Sequence, residues 1–256
     1  MESTEPKLNG VDTERVAANL VPLVRKAGEE VMAIYQEEDV GETRKEDDSP
    51  LTRADTAANK IICEALEDAD FCIAGEKLPV LSEENKEIAF ETRRNWNAFW
   101  LVDPLDGTKE FISKNGEFTL NIALIAGEKP VLGVVHAPAI GVTYLGIPGE
   151  GAYRQEGDAS WEQINGKSKG DGDDTVRIVA SRSHLDEETQ KFTSEVEKHV
   201  GNVVFTSAGS SLKLCLLAEG KADIYPRLAP TMEWDTGAAQ AVVEAAGGQV
   251  MAYEGW

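Results

Sequence analysis

The chain has 256 residues, a length that suits one large domain or two small ones. Its net charge is −21, from 46 acidic and 25 basic residues, which argues against general binding to nucleic acid or anionic membranes, since both need a positive footprint. Hydrophobic residues make up 41%, enough for a sizeable core. No apolar run approaches the roughly 18 residues of a membrane span, and the N-terminus lacks the basic-then-apolar pattern of a signal peptide. Cys63, Cys72 and Cys215 form no C-x-x-C and read as reduced thiols of a cytoplasmic protein.

Residues 14–36 carry Val16, Leu20, Leu23, Val24, Ala27, Val31 and Ile34 at helical spacing, and Pro22 is expected to kink that helix or mark a restart. The polar stretch 37–50 reads as a loop. A second amphipathic helix is predicted over 54–68, then a short strand over 79–81 ending at Ser82-Glu83-Glu84, and a strand over 99–102. Strands follow at 118–125, 131–136, 141–146 and 152–153. The glycine-rich run 166–174 reads as an exposed linker. Beyond it, strands at 176–180, 203–205 and 222–225 alternate with helices at 187–199, 212–219 and 236–246, the last closed by Gly247-Gly248. The pattern predicts an α+β first half and an α/β second half.

The densest chemistry is in Asp103-Pro104-Leu105-Asp106-Gly107-Thr108. Pro104 resists continuation of strand or helix, Gly107 permits an unusual backbone path, and Thr108 can open a helix. Taken alone, Asp-Pro and Asp-Gly are ordinary turn dipeptides. Yet Asp103, the Leu105 backbone carbonyl and Asp106 offer oxygens from one turn, the donor type a Mg²⁺ ion prefers. Glu83 and Glu84 in isolation read as a solvated acidic pair. Asp235, in Trp234-Asp235-Thr236-Gly237, reads as a helix N-cap, and Asp55 as a cap or first-turn acid of the second helix. Gly209-Ser210-Ser211-Leu212-Lys213 opens a helix whose N-terminus can face a phosphate.

The longer run Trp100–Phe111, WLVDPLDGTKEF, resembles the signature of the lithium-sensitive, magnesium-dependent phosphomonoesterases. That superfamily holds inositol monophosphatases, fructose bisphosphatases and 3'(2'),5'-bisphosphate nucleotidases, and Lys109-Glu110-Phe111 resembles the nucleotidase branch. The resemblance implies a layered α/β sandwich of two subdomains, 1–165 and 175–256, with the metal cleft between them. It implies two or three Mg²⁺ ions held by Glu83, Asp103, the Leu105 carbonyl, Asp106 and Asp235, with Asp103 bridging two of them. Asp55 and Thr108 map onto the pair that activates a water at the metals. Gly107, Thr108, Lys109, His184, Ser210, Lys213 and Arg227 map onto substrate contacts.

The implied reaction takes adenosine 3',5'-bisphosphate, a by-product of sulfate assimilation, to AMP and phosphate. Two other functions remain open: an inositol or sugar phosphatase on the same scaffold, and a non-catalytic nucleotide or metal sensor. The expected partner is a small nucleotide bisphosphate and not nucleic acid. A cytoplasmic monomer is expected, with an oligomer and a peripheral position at the inner membrane left open. His136 and His199 read as non-functional. Two departures stand out: Glu233 adds a charge beside the cleft, and relatives continue past the position of Trp256, so either the chain is clipped or its last sheet edge differs.

Overall fold

A computed structural model describes residues 12–166, 175–180 and 187–253. Helix α1 (Thr13–Tyr35) opens on Asp12, whose side chain accepts from the Arg15 amide, and it buries the apolar stripe from Val16 to Ile34. It runs through Pro22 as one element. The proline forfeits one backbone bond, but Leu20, Leu23 and Val24 around it are buried and hold the turn in place. The stretch predicted as a loop contains a small hairpin, β1 (Thr43–Arg44) with β2 (Pro50–Leu51). Helix α2 (Arg53–Leu66) follows, started by a capping box in which Asp55 Oδ2 accepts from the Thr52 amide at 2.7 Å.

One seven-stranded sheet runs in sequence order: β3 (Val80–Ser82), β4 (Ala98–Asp106), β5 (Thr119–Ala126), β6 (Lys129–Ala137), β7 (Val142–Ile147), β8 (Gly151–Glu156) and β9 (Glu162–Ile164). Only β3 and β4 are parallel; the rest is a meander. Short helices α3 (Phe90–Arg93) and α4 (Thr108–Ile112) flank β4. The smaller sheet pairs β10 (Thr175–Ala180) in parallel with β11 (Asn202–Ser207), with helix α5 (Glu187–Val200) between them in sequence. Helices α6 (Leu212–Ala218) and α7 (Glu233–Ala245) complete the chain. The strand predicted at 222–225 reduces to one bridge, Ile224 to Ile178, with Asp223 and Ile224 also hydrogen-bonded to Arg177 of β10.

The large sheet is a middle layer. Helices α1 and α2 cover one face over a core of Trp100, Phe111, Phe118 and Leu120. Helices α6 and α7 cover the other over Leu101, Ala123, Val135 and Val242. With both faces covered, every residue of β5 is buried. The architecture is therefore the layered α/β sandwich expected, with mixed helix and sheet.

Helix α7 lies close to the sheet because both surfaces are small. A Cβ on Gly133 would stand 2.1 Å from the Ala238 carbonyl oxygen, and one on Gly146 would stand 2.4 Å from Val242 Cα. Gly146→Ala is therefore expected to destabilise the fold by roughly 1–3 kcal/mol, as overpacking against backbone does. Thermal denaturation checks this, and an unchanged midpoint would contradict the close approach.

Candidate active site

Strand β4 does not stop before Pro104. It continues to Asp106, and its register against β5 shifts between Asp103 and Asp106. A bulge is one of the few places in a sheet where a missing N–H is harmless, so Pro104 shapes the strand rather than ending it. Gly107 then takes φ +93°, a left-handed turn that favours glycine, and Thr108 begins α4.

This bend sets Asp106 on the wall of a cleft. Asp103 is buried and takes the Leu105 amide on Oδ1 at 3.0 Å. Burial pushes its carboxyl well above the usual range, and the charges of Asp106, Glu83 and Asp235 push it further. Asp106 is pushed up to about 7 by burial, with Asp235 and Glu83 adding to the rise while Lys213 and the Ser211 amide oppose it. Glu83 arrives from β3: its amide donates to Val102 O at 3.2 Å, extending the β3–β4 pairing one residue.

Asp235 occupies the third position of α7, not the N-cap, because the helix starts earlier than 236. Its Oδ2 accepts from Thr231 Oγ1 at 2.7 Å and from the Met232 amide at 2.9 Å. That fixes the side chain while Oδ1 takes no hydrogen bond among the described residues. The departure at Glu233 is neutralised by an ion pair with Arg93.

The charges of Glu83, Asp106 and Asp235 thus all act on Asp103, although no three acidic, His or Cys side chains among the described residues form a ready metal-holding group. Lys45, from the hairpin loop, places Nζ 2.7 Å from Glu83 Oε1 and 2.6 Å from Glu84 Oε1. Burial lowers its pKa, but those two carboxylates more than reverse this and hold the ammonium above its usual range. An all-oxygen set in which Asp103 and Asp106 are held above the ordinary carboxylate range fits a hard divalent cation, which would relieve their repulsion.

Asp55 is buried on the same side. Its Oδ2 serves the capping box, and its Oδ1 accepts from Thr108 Oγ1 at 3.1 Å. Thr108 Oγ1 also lies 3.4 Å from Leu105 O. Burial raises the Asp55 carboxyl, against the hydrogen bonds from Thr52 and Thr108.

Beyond Gly107 the cleft, of about 270 Å³, is lined by Lys109, Ser210, Lys213, Tyr225, Arg227 and Asp235 among others. Ser210 holds φ +49°, unusual for a residue with a side chain, and Glu117 Oε2 accepts the Gly209 amide at 2.9 Å. Lys213 folds back on its own turn, 2.7 Å from Ser210 O, and is buried. Arg227 Nη2 donates to Pro230 O at 3.0 Å. His184 lies outside the described residues. A larger groove, about 670 Å³, opens between Arg93, Trp96, Phe99 and Gln240. None of the four clustered carboxylates lines it, and its arginines pair with Glu233 and Glu91.

Sequence reasoning missed Lys45, hidden in a polar stretch with no signal of its own. It also missed the anchor Glu117 and the polar pair Thr119 and Asn121. The last two left a trace: they are polar positions inside an otherwise apolar strand.

Residues 12–256 match the model described as the inositol monophosphatase family. The chain is 46% identical over 237 residues to the 3'(2'),5'-bisphosphate nucleotidase CysQ of Salmonella typhimurium, covering 91% of this chain and 89% of that protein. It is 43% identical over 237 residues to the CysQ of Escherichia coli strain K12, with the same coverage. The crystal structure of CysQ from Bacteroides thetaiotaomicron superposes with a TM-score of 0.77 at 42% identity, covering 92% of this chain and 88% of that one.

Proposed function

Because the chain belongs to the inositol monophosphatase family, we propose that it is a metal-dependent 3'(2'),5'-bisphosphate nucleotidase that takes adenosine 3',5'-bisphosphate to AMP and phosphate. The observation that carries this reading is the Thr108–Asp55 hydrogen bond, close to Asp106 and across Gly107 from a cleft with basic side chains.

Glu83, Asp103, the Leu105 carbonyl, Asp106 and Asp235 would hold two or three Mg²⁺ ions, which would supply positive charge for the phosphoryl oxygens and make a bound water more acidic. Thr108 orients that water and relays its proton to Asp55. A Thr hydroxyl is a poor base, but a buried carboxylate with a raised pKa is a better one. Gly107 and the amides at the start of α4 face the scissile phosphate, with Lys109 beside them. The cleft is the seam between residues 1–165, which supply most of the carboxylates and Thr108, and residues 175–256, which supply Ser210, Lys213, Arg227 and Asp235.

No helix among the described residues is long and apolar enough to cross a membrane, and the cysteines are free. A cytoplasmic role in clearing a by-product of sulfate assimilation, with inhibition by Li⁺, belongs to the same reading.

The distal 5'-phosphate falls to Arg227 more than to Lys213. Arg227 spends one nitrogen on Pro230 O, whereas Lys213 is turned toward its own carbonyls and Asp106. Arg227→Ala is expected to lower kcat/KM for adenosine 3',5'-bisphosphate by roughly 10–100-fold, the worth of a charge-assisted bond. Hydrolysis of inositol 1-phosphate, which has no second phosphate, is expected to stay nearly constant. Phosphate release from a panel of nucleotide, inositol and sugar phosphates, with and without Mg²⁺, tests the whole reading. Preference for inositol 1-phosphate would overturn the nucleotidase assignment and leave the metal mechanism standing.

A further inference from the structure

Behind the cleft wall three buried side chains close a ring. Ser211 Oγ donates to Asn121 Oδ1 at 2.8 Å, and Asn121 Nδ2 donates to Thr119 Oγ1 at 3.2 Å. Thr119 Oγ1 and Ser211 Oγ stand 2.8 Å apart. The directions of the first two bonds settle the third. The Ser211 proton is committed to Asn121, so Thr119 must donate to Ser211. Each member then gives one hydrogen and takes one, and all three are buried. Buried polar rings of this kind are worth most when every member is satisfied.

The ring's position gives it a use. Asn121 and Thr119 sit opposite Asp103 and Asp106 in the β4–β5 register, at the two ends of the bulge. Ser211 places its side chain in the ring and lines the cleft together with Asp106, Gly107 and Lys213. The next turn carries Ser210 and Lys213, and Lys213 pulls on the same carboxylate. One hydroxyl therefore ties the metal-facing bulge to the substrate-facing turn, across 90 residues of sequence.

We infer that Thr119, Asn121 and Ser211 are positioning residues that hold Asp106 and the 209–213 turn in one geometry, so that metal binding and binding of the nucleotide's distal part reinforce each other. This rests on the function proposed above for the nucleotide, though not for the metal. The ring fixes the strand residues that pair with Asp103 and Asp106, and loss of such an outer support weakens metal binding or activity by roughly 10–100-fold.

The test uses variants that change one atom. Thr119→Val keeps the shape and removes the hydroxyl; Thr119→Ser keeps the hydroxyl. Ser211→Ala cuts the ring from the other side while leaving the backbone of the turn in place, and serves if Thr119→Val folds poorly. Tyr144→Phe is the stability control. It deletes a 2.6 Å bond from Tyr144 to Glu219, which follows the far end of α6. Mg²⁺ affinity is read by titration calorimetry with and without AMP, and KM for adenosine 3',5'-bisphosphate by phosphate release.

The expected result is about tenfold weaker Mg²⁺ binding and about tenfold higher KM in Thr119→Val and Ser211→Ala, together with loss of the mutual enhancement between Mg²⁺ and AMP. Thr119→Ser and Tyr144→Phe are expected to stay near wild type. Equal effects in Thr119→Val and Tyr144→Phe, equal losses in Thr119→Val and Thr119→Ser, or ring variants with wild-type Mg²⁺ affinity would overturn the inference. Failure of the wild type to hydrolyse the bisphosphate would strike the proposed function, and the Mg²⁺ titrations would still decide the ring.

Discussion

Thr108→Val and Asp55→Asn are each expected to lower kcat by roughly 10²–10⁴-fold, the range for a positioned proton transfer, with much smaller changes in KM. In the wild type the Thr108 hydroxyl donates to Asp55 Oδ1, leaving its lone pairs toward the cleft. Valine fills the space without a hydrogen bond. Asparagine keeps its oxygen on the Thr52 amide, so its NH₂ faces Thr108, and the threonine must accept instead of donate. Either change breaks the relay at the same link, so the double mutant is expected to lose little more than the worse single one. Steady-state kinetics decide this. Two losses that multiply in full would mean that the residues act separately.

Asp106→Asn is expected to abolish turnover and to cross over in stability. Without divalent metal, a carboxyl whose pKa rises on folding, here from 3.8 to about 7, favours the folded state at low pH. That contribution disappears as pH climbs through this interval, because the ionised form is the one the fold resists. The wild type in chelator is thus expected to lose melting temperature between about pH 4 and pH 7, and the asparagine variant to lose less and stand above it at pH 8. Saturating Mg²⁺ reverses the order. At a hundredfold excess over Kd it adds about 2.7 kcal/mol to the wild type, and a chain of this size shifts by about 2–4 °C per kcal/mol. Scanning calorimetry in chelator and in Mg²⁺ gives both halves. A Mg²⁺ shift as large in Asp106→Asn as in the wild type would remove Asp106 from the metal site.

The sequence carried much of this site because its chemistry is local. Asp103, Leu105, Asp106, Gly107 and Thr108 are consecutive or nearly so, and one bend of the chain sets their relative positions. Asp55 and Asp235 were legible because each lies in the first turn of a helix, where a carboxylate also serves the backbone. Where the local argument failed, a tertiary partner had intervened. Pro104 was expected to end β4, but β5 supplied a bulge that tolerates it. Residues 222–225 have strand character and found only one bridging partner.

Residue types and their periodicity determined which segments are amphipathic and which acids share the 103–108 turn, because those properties depend on neighbours along the chain. Only the tertiary structure decided that Lys45 would reach Glu83 and Glu84, that α7 would press onto Gly133 and Gly146, and that Ser211 would join Thr119 and Asn121 in a buried ring. Each of these pairs residues 38 to 105 positions apart. At such separations no local preference selects a partner. The pairing is set by which surfaces can be buried together with their polar groups satisfied, a property of the whole packed chain.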